Sequence, residues 1–335
     1  GHTGFKGCWA ALWLLRLGAQ VYGYARPPAT DPSLYDMVSL GSRLDGESLD
    51  DVCNRESLDV ALKAASPDII VHMAAQALVR LSYREPIETF STNVIGTANL
   101  LQSARGLDAL GAILVVTTDK CYENNESGAA FVEADPLGGR DPYSASKACQ
   151  EIVTAAMRDS YFEGAAGIAT ARAGNVVGGG DWAEDRLVPD IVRAAEQGAS
   201  LVIRYPEAVR PWQYVLDPVA GYLSLAEALY RDRAAFAGGW NFAPAAESAV
   251  TVRTVIEAFA RHYGELPSVE VDDAPRAHEA HFLRLDATKA RRDLGWQPRC
   301  DLQETMRETA DWYRSVRDGA SPESACDAAL GRMSD

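Results

Sequence analysis

Tyr143 and Lys147 stand four residues apart in "DPYSASKACQE", a stretch that reads as a helix with Pro142 near its start. That spacing puts both side chains on one helix face. A lysine charge beside a phenol lowers the phenol's pKa. A phenolate next to a nicotinamide is a fitting base for removing a hydroxyl proton during hydride transfer. Thr118, Asp119 and Lys120 follow the apolar run "GAILVV" and add three proton-handling groups at a strand's end. The sequence opens "GHTGFKG", with Gly1, Gly4 and Gly7 at three-residue intervals ahead of "CWAALWLLRLGA". Trp9, Leu12, Trp13 and Leu15 fall at helical spacing, and Gly18 ends the run. A glycine-rich turn feeding a helix N-terminus offers free N–H groups and a positive dipole end to a diphosphate. Each motif alone is ordinary: Tyr-x-x-x-Lys is commonly a surface pair, and Thr-Asp at a strand end is commonly a cap. Their order along one chain is what points to redox chemistry on a dinucleotide.

The elements between these motifs alternate. "AQVYGYA", "PDIIVHMAAQ", "GAILVVTTDK" and "GAAGIATARAGNV" read as strands, and "TNVIGTANLLQSA" and "DPYSASKACQEIVTAAM" as helices. Such alternation implies an α/β fold, a doubly wound parallel sheet covered on both faces. Ligands then sit beyond the carboxyl ends of the strands, where the polar clusters after Ala75, Val116 and Ala173 fall. A strand is expected before the glycine turn, and no initiator Met is present. About ten further, mostly apolar residues are therefore expected upstream of Gly1.

The second half is less regular. "NVVGGGDWAEDRLVPD" reads as a glycine-rich loop leading to a helix near 187–197. "ASLVIRYP" and "GGWNFAP" read as short strands, and "TVRTVIEAFARHYG", "LDATKARRDLGWQP" and "LQETMRETADWYRSVRDG" as helices. With no low-complexity linker, the two parts are expected to pack closely around a cleft. The apolar stripes of the helices over 91–104 and 143–158 suit either core packing or pairing in a homodimer, with a homotetramer open.

Composition narrows the classes. With 335 residues, 47% of them hydrophobic, the chain suits one large or two closely joined globular domains. No run of eighteen apolar residues exists, so no membrane span is visible. The net charge of −15 argues against a nucleic-acid partner. Cys8, Cys53, Cys121, Cys149, Cys300 and Cys326 show no paired spacing, which favours reduced thiols in a cytoplasm. His278 and His281, in "HEAH", lack an acidic partner spacing, so no metal site is expected there. The seven tryptophans suit packing, with Trp182 and Trp212 in glycine- and proline-rich loops as the exceptions.

"HMAAQALVRLSY", "TTDKCYEN", "EADPLGGRDPYSASKACQE", "ARAGNVVGGGDWAEDRLVPD", "RPWQYVLDP", "GWNFAP" and "LGWQP" extend these motifs along residues 1–315. Together they resemble the extended short-chain dehydrogenases/reductases, and within them the nucleotide-sugar dehydratases of the CDP-glucose 4,6-dehydratase family. "DKCYEN" distinguishes that subgroup from dTDP-glucose dehydratases, which carry Asp-Glu there, and from epimerases, which lack the acid.

The resemblance implies a Rossmann-type domain over 1–174, with about 206–237 returning to it, and a smaller α/β nucleotide-sugar domain over 175–335. It implies NAD, tightly bound, held by Gly1, Gly4, Phe5, Lys6, Gly7, Asp51, Val52, Ala74, Ala75, Gln76, Asn93, Thr117, Tyr143, Lys147 and Arg172. The catalytic set is Thr118, Asp119, Lys120, Tyr143 and Lys147. Arg80, Asn175, Arg186, Arg204, Arg210, Tyr214 and His278 would hold the nucleotide sugar.

The implied chemistry is an internal oxidation, dehydration and reduction. Tyr143 takes the C4 hydroxyl proton while NAD takes the C4 hydride, and the new ketone acidifies the C5 proton. Lys120, if neutral, removes that proton; Asp119, if protonated, supplies one to the departing C6 hydroxyl. The reverse assignment of these two roles stays open. So does NADP, because "YGYARPP" lacks the acidic residue that binds the NAD ribose and Arg26 would suit a 2′-phosphate; the resemblance favours NAD. The loop "NNESGAAFVE" lacks the tryptophan-rich stretch associated with the family, which leaves the exact sugar and nucleotide open. A related dehydratase or epimerase for another nucleotide sugar is the nearest alternative. A non-catalytic NAD-binding regulator is the alternative from another class.

Overall fold

The computed structural model describes residues 1–124, 128–264, 268–272 and 283–334. Its strands in chain order are β1 (Tyr22–Ala25), β2 (Gly46–Leu49), β3 (Ile69–His72), β4 (Ala112–Val116), β5 (Gly167–Ala173), β6 (Asn175–Val177), β7 (Leu201–Ile203), β8 (Val209–Tyr214), β9 (Gly238–Phe242), β10 (Ala249–Thr251) and β11 (Val269–Val271). The main sheet runs β3-β4-β5-β9, all parallel, and β1 pairs with β2 in a separate parallel pair.

The sheet is covered on both faces, as its sequence demands. Every residue of β4 and β5 is buried, the pattern of strands without a solvent side. Alternate side chains of β4 enter different cores. Ile113 and Val115 join Leu58, Leu100, Leu101 and Phe162. Leu114 and Val116 join Val219, Tyr222 and Leu225 of helix Leu216–Arg231. Burying each such side chain is worth about 1.5–3 kcal/mol, so a polar residue on either face of β4 would be costly.

A smaller layer follows β5. β8 lies between β6, parallel to it, and β10, antiparallel, while β7 pairs in parallel with β11. Helix Leu187–Gln197 falls where the sequence placed it and ends at Gly198, whose φ of 62° is left-handed. Helix Pro142–Tyr161 starts sharply: Pro142 occupies its first turn and the Asp141 carboxylate accepts from the Ser144 N–H at 2.9 Å. This start fixes the direction of Tyr143. The helical stretch expected over 91–104 is longer, beginning at Pro86 and passing through a wider turn at Ser91–Ile95 before Gly96–Ala104.

Several elements were not legible in the sequence. β6 lies inside what reads as a glycine-rich loop; its three residues form a strand only because β8 pairs with them. Helices Arg55–Ala65, Leu216–Arg231 and Pro322–Ser334 were also not anticipated.

Candidate active site

The carboxyl ends of β4 and β5, the start of helix Pro142–Tyr161 and the loop before Leu187 enclose a cleft of about 670 Å³. Thr117, Thr118, Lys120, Tyr143 and Lys6 line it together with Asn175, Arg80, Arg186, Arg204 and Arg210. The structure therefore gathers most of the expected catalytic and substrate residues in one space.

The glycine turn borders this cleft through Lys6. A Cβ on Gly1 would lie 2.4 Å from the Ala74 nitrogen, and one on Gly7 would lie 2.0 Å from the Gly1 carbonyl oxygen. Neither position has room for a side chain, whereas Gly4 meets nothing nearer than 3.5 Å. Gly4 also caps helix Phe5–Arg16 without a side chain of its own, so the first N–H groups of that helix are left for a ligand. This folded-back turn, open at Gly4, fits a dinucleotide diphosphate.

The residues expected to flank the cofactor divide into groups. Ala74 and Ala75 are half-buried behind the turn. Asn93 is fully buried and spends its amide on the protein: its oxygen accepts from the Gln76 N–H at 2.9 Å, and its nitrogen donates to the Gln76 carbonyl at 3.1 Å and the Ser146 hydroxyl at 2.8 Å. Asn93 thus brackets the 76 backbone. Asp51 accepts from the Cys53 N–H at 2.8 Å and lies 3.7 Å from Arg26. Val52 is buried against Gly96, leaving no space for a Cβ there. Arg26 pairs with Glu88 at 2.9 Å, so it sits between two carboxylates, an unfavourable place for a further phosphate.

Asp119 is almost completely buried, with Oδ1 accepting from the Thr118 hydroxyl at 2.9 Å and from Lys120 Nζ at 3.1 Å. Its Oδ2 is buried with no hydrogen-bond partner among the described residues. Lys147 donates to the Gln150 side-chain oxygen at 2.8 Å and the Val116 carbonyl at 3.4 Å. Gln150 donates in turn to Thr97, which contacts His72 at 2.9 Å. This buried polar chain holds the lysine in place.

The expected electrostatic relation between Tyr143 and Lys147 is corrected by burial. Desolvation pushes the Tyr143 phenol up to about 12, opposed by its hydrogen bond with Thr118. Desolvation likewise pulls Lys147 down to about 7, aided by the charge of Lys6. Lys6 itself is lowered to about 8 by desolvation and then by Arg186. For both groups burial is the largest cause, and neither side chain is among the charges that shift the other.

The arginines of the cleft are oriented by acids. Arg186 pairs with Asp181 at 2.9 Å, and Arg80 and Arg204 both approach Asp185, Arg204 at 3.4 Å. Asp185 holds a φ of 63°, a conformation uncommon for a residue with a side chain. These two acids were not singled out in the sequence, although "GDWAEDR" carries both beside Arg186. Trp212 lines the cleft, whereas Trp182 packs edge-on against Tyr313.

Two expected site residues are committed to the protein interior. Arg172 is buried in β5, its guanidinium committed to Glu151 at 2.7 Å rather than to a cofactor. Tyr214 is buried in the hydrophobic core at the end of β8 and is not in the cleft lining. Strand alternation explains both: motif continuity carried them along, but neither side chain faces the ligand space. His278, like His281, lies outside the described residues.

Residues 1–309 match the family described as GDP-mannose 4,6 dehydratase. The chain is 45% identical over 321 residues to the CDP-glucose 4,6-dehydratase of Salmonella typhimurium, covering 94% of this chain and 89% of that protein. Among solved structures, the UDP-glucose 4-epimerase of Thermus thermophilus in complex with NAD superposes with a TM-score of 0.81 at 24% identity, covering 94% of this chain and 98% of that one. The dTDP-glucose 4,6-dehydratase of Bacillus anthracis in complex with NAD gives 0.78 at 21% identity, covering 96% and 97%. These two likenesses establish the extended Rossmann-type α/β fold.

Proposed function

The chain belongs to the GDP-mannose 4,6 dehydratase family, and from that footing we propose that it converts CDP-D-glucose to CDP-4-keto-6-deoxy-D-glucose. It is an NAD-dependent hydro-lyase of deoxysugar biosynthesis. The observation that carries this reading is the contact of the buried Asp119 with Lys120, which lines the same cleft as Tyr143. An oxidation alone needs a phenol and a lysine; an acid and a base beside them are what elimination adds. The likeness to the Salmonella enzyme along nearly the whole chain selects the nucleotide.

Bound NAD would supply the hydride acceptor for C4 and the hydride donor for C6. The free N–H groups after Gly4 would hold its diphosphate, and Lys147 its ribose. Tyr143 receives the C4 hydroxyl proton, with Thr118 hydrogen-bonding the same sugar oxygen. The resulting ketone acidifies the C5 proton. Lys120, in its neutral form, takes that proton, and Asp119, in its acid form, gives one to the C6 hydroxyl, which leaves as water. A proton then returns to C5. Asn175 and Arg210 would hold the nucleotide diphosphate, where the guanidinium fork suits phosphate geometry.

Residues 1–174 with 206–237 would serve the cofactor and 175–335 mainly the nucleotide sugar. The protein would act as a homodimer: Ile87, Ile95 and Ile152 are exposed on the helices Pro86–Phe90, Ser91–Ile95 and Pro142–Tyr161, an apolar face suited to a second copy. The six free cysteines suit a cytoplasmic setting. Among the described residues, no helix is long and apolar enough to cross a membrane.

Proton NMR of CDP-glucose with the protein in D2O, without added NAD, tests the reading. A C6 methyl signal with deuterium at C5 is expected. No change in a folded, NAD-loaded sample overturns the assignment of CDP-glucose, and UDP-, GDP- and dTDP-sugars then identify the substrate.

A further inference from the structure

The segment Thr117–Tyr122 carries Asp119 and Lys120, the two groups assigned to proton transfer in the elimination, and both of its ends are fastened to one buried ion pair. Glu151 lies eight residues beyond Tyr143 and four beyond Lys147, on the same side of helix Pro142–Tyr161. Arg172 of β5 meets its carboxylate as a fork, Nε to Oε1 at 2.9 Å and Nη2 to Oε2 at 2.7 Å. Two hydroxyls take more of the carboxylate: Thr117 donates to Oε1 at 2.5 Å and Thr170 to Oε2 at 2.6 Å. The third guanidinium nitrogen, Nη1, reaches the other end of the segment, donating to the Tyr122 hydroxyl at 2.6 Å and the Glu133 carbonyl at 3.2 Å. The Tyr122 hydroxyl donates to the Asn241 side-chain oxygen at 2.7 Å, and its ring stacks on Phe131.

A buried ion pair is a weak source of stability, because desolvation offsets most of the attraction. What this pair supplies is position. Asp119 and Lys120 have no regular element of their own beyond a single short turn, Asp119–Cys121. Their placement depends on where Thr117 and Tyr122 are held. Tyr143 and Lys147, by contrast, are carried directly by a 20-residue helix.

We infer that the Glu151–Arg172 pair is the positioning device of the dehydration step: it anchors Thr117 and Tyr122 and thereby sets Asp119 and Lys120 against the sugar. This inference rests on the dehydratase reading above. It assigns Arg172, Glu151 and Tyr122 chiefly to the elimination half of the reaction; C4 oxidation draws only Thr118 from the segment and otherwise rests on Tyr143 and Lys147, carried by their own helix.

Two variants test it without stranding a buried charge. Tyr122→Phe removes the hydroxyl that Arg172 grips. Arg172→Lys keeps the charge opposite Glu151 but loses the fork. In rapid mixing of the NAD-loaded variants with CDP-glucose, elimination is expected to slow about 10²-fold, the cost of an ångström-scale misplacement, and C4 oxidation by far less. Reduced nicotinamide then builds up in the near-ultraviolet, with KM unchanged. Hydrogen–deuterium exchange should quicken at amides 119–122 and stay unchanged along 143–158. Parallel slowing of both steps without build-up, or no change in either, overturns the inference. If the wild-type protein leaves CDP-glucose untouched, the dehydratase reading fails and exchange alone decides: unaltered protection at 119–122 in both variants overturns the positioning role.

Discussion

Lys120 Nζ stands 3.1 Å from Asp119 Oδ1, while Oδ2 of the same carboxylate is sealed from water without a partner among the described residues. An unsatisfied buried acceptor costs about 1–3 kcal/mol, and the mechanism proposed above gives this carboxylate the proton that the C6 hydroxyl needs. Asp119→Asn and Lys120→Met are each expected to halt elimination while sparing C4 oxidation. NMR should show no C6 methyl, and absorbance should show reduced nicotinamide. Methyl formation at the wild-type rate in both variants would remove Asp119 and Lys120 from the mechanism.

Tyr143→Phe is expected to lower C4 oxidation by about 10²–10⁴-fold with an unchanged circular dichroism spectrum. Because burial holds the phenol near 12, its ionised fraction grows throughout the alkaline range. The wild-type oxidation rate should therefore rise with pH, and the Phe variant should lose that rise. A pH profile common to both proteins would assign the base elsewhere.

The sheet, the cleft and the catalytic helix were legible because each has a local signature. β4 and β5 are unbroken apolar runs, and Pro142 after Asp141 marks a helix start. Arg172 and Tyr214 were misjudged because belonging to a motif says nothing about which face of a strand a side chain takes. The dryness of the pocket was likewise hidden: Tyr143 and Lys147 are adjacent in pattern, yet their pKa values follow how much water the surrounding layers exclude. The brackets Asn93, Gln150 and Glu151 depend on partners 17 to 53 residues away, beyond the reach of spacing rules.

Gly174 follows β5, where a Cβ would lie 3.0 Å from Asp119 Oδ2 and 3.4 Å from Pro211 Cγ. Gly174→Ala should displace that carboxylate and lower turnover by about tenfold or more, while titration calorimetry finds NAD binding unaltered. Full activity in the alanine variant would show that Asp119 tolerates the shift.

Lys147 offers a stability test. Its folded pKa, about 7, lies below its ordinary 10.5. Between those values the unfolded chain binds a proton that the folded chain lacks, so this lysine makes stability rise with pH across that window. Its penalty is full below pH 7 and gone above 10.5. Lys147→Met should flatten the thermal midpoint against pH over that interval while abolishing turnover. Parallel curves for the two proteins would mean that Lys147 stays charged in the fold.

The exposed Ile152 gives the assembly test. Wild-type protein should sediment as a dimer or tetramer, and Ile152→Asp should shift it towards monomer by placing a charge on a desolvated face. An unchanged sedimentation coefficient would put the interface elsewhere.

The glycine turn has a consequence for how this protein can change over generations. Its shape is written in main chain: at Gly1 and Gly7 even one added methyl collides with backbone, so almost no single substitution there yields a working variant. The substrate side of the proposed site is written in side chains instead: Arg80 on the helix Val79–Arg84, Arg210 in β8, and Arg186 and Arg204 beside them in the cleft lining. On the roles proposed above, descendants of such a chain would reach new nucleotide sugars by point substitution while their cofactor stayed inherited. One part of the molecule is thus more open to selection than the other.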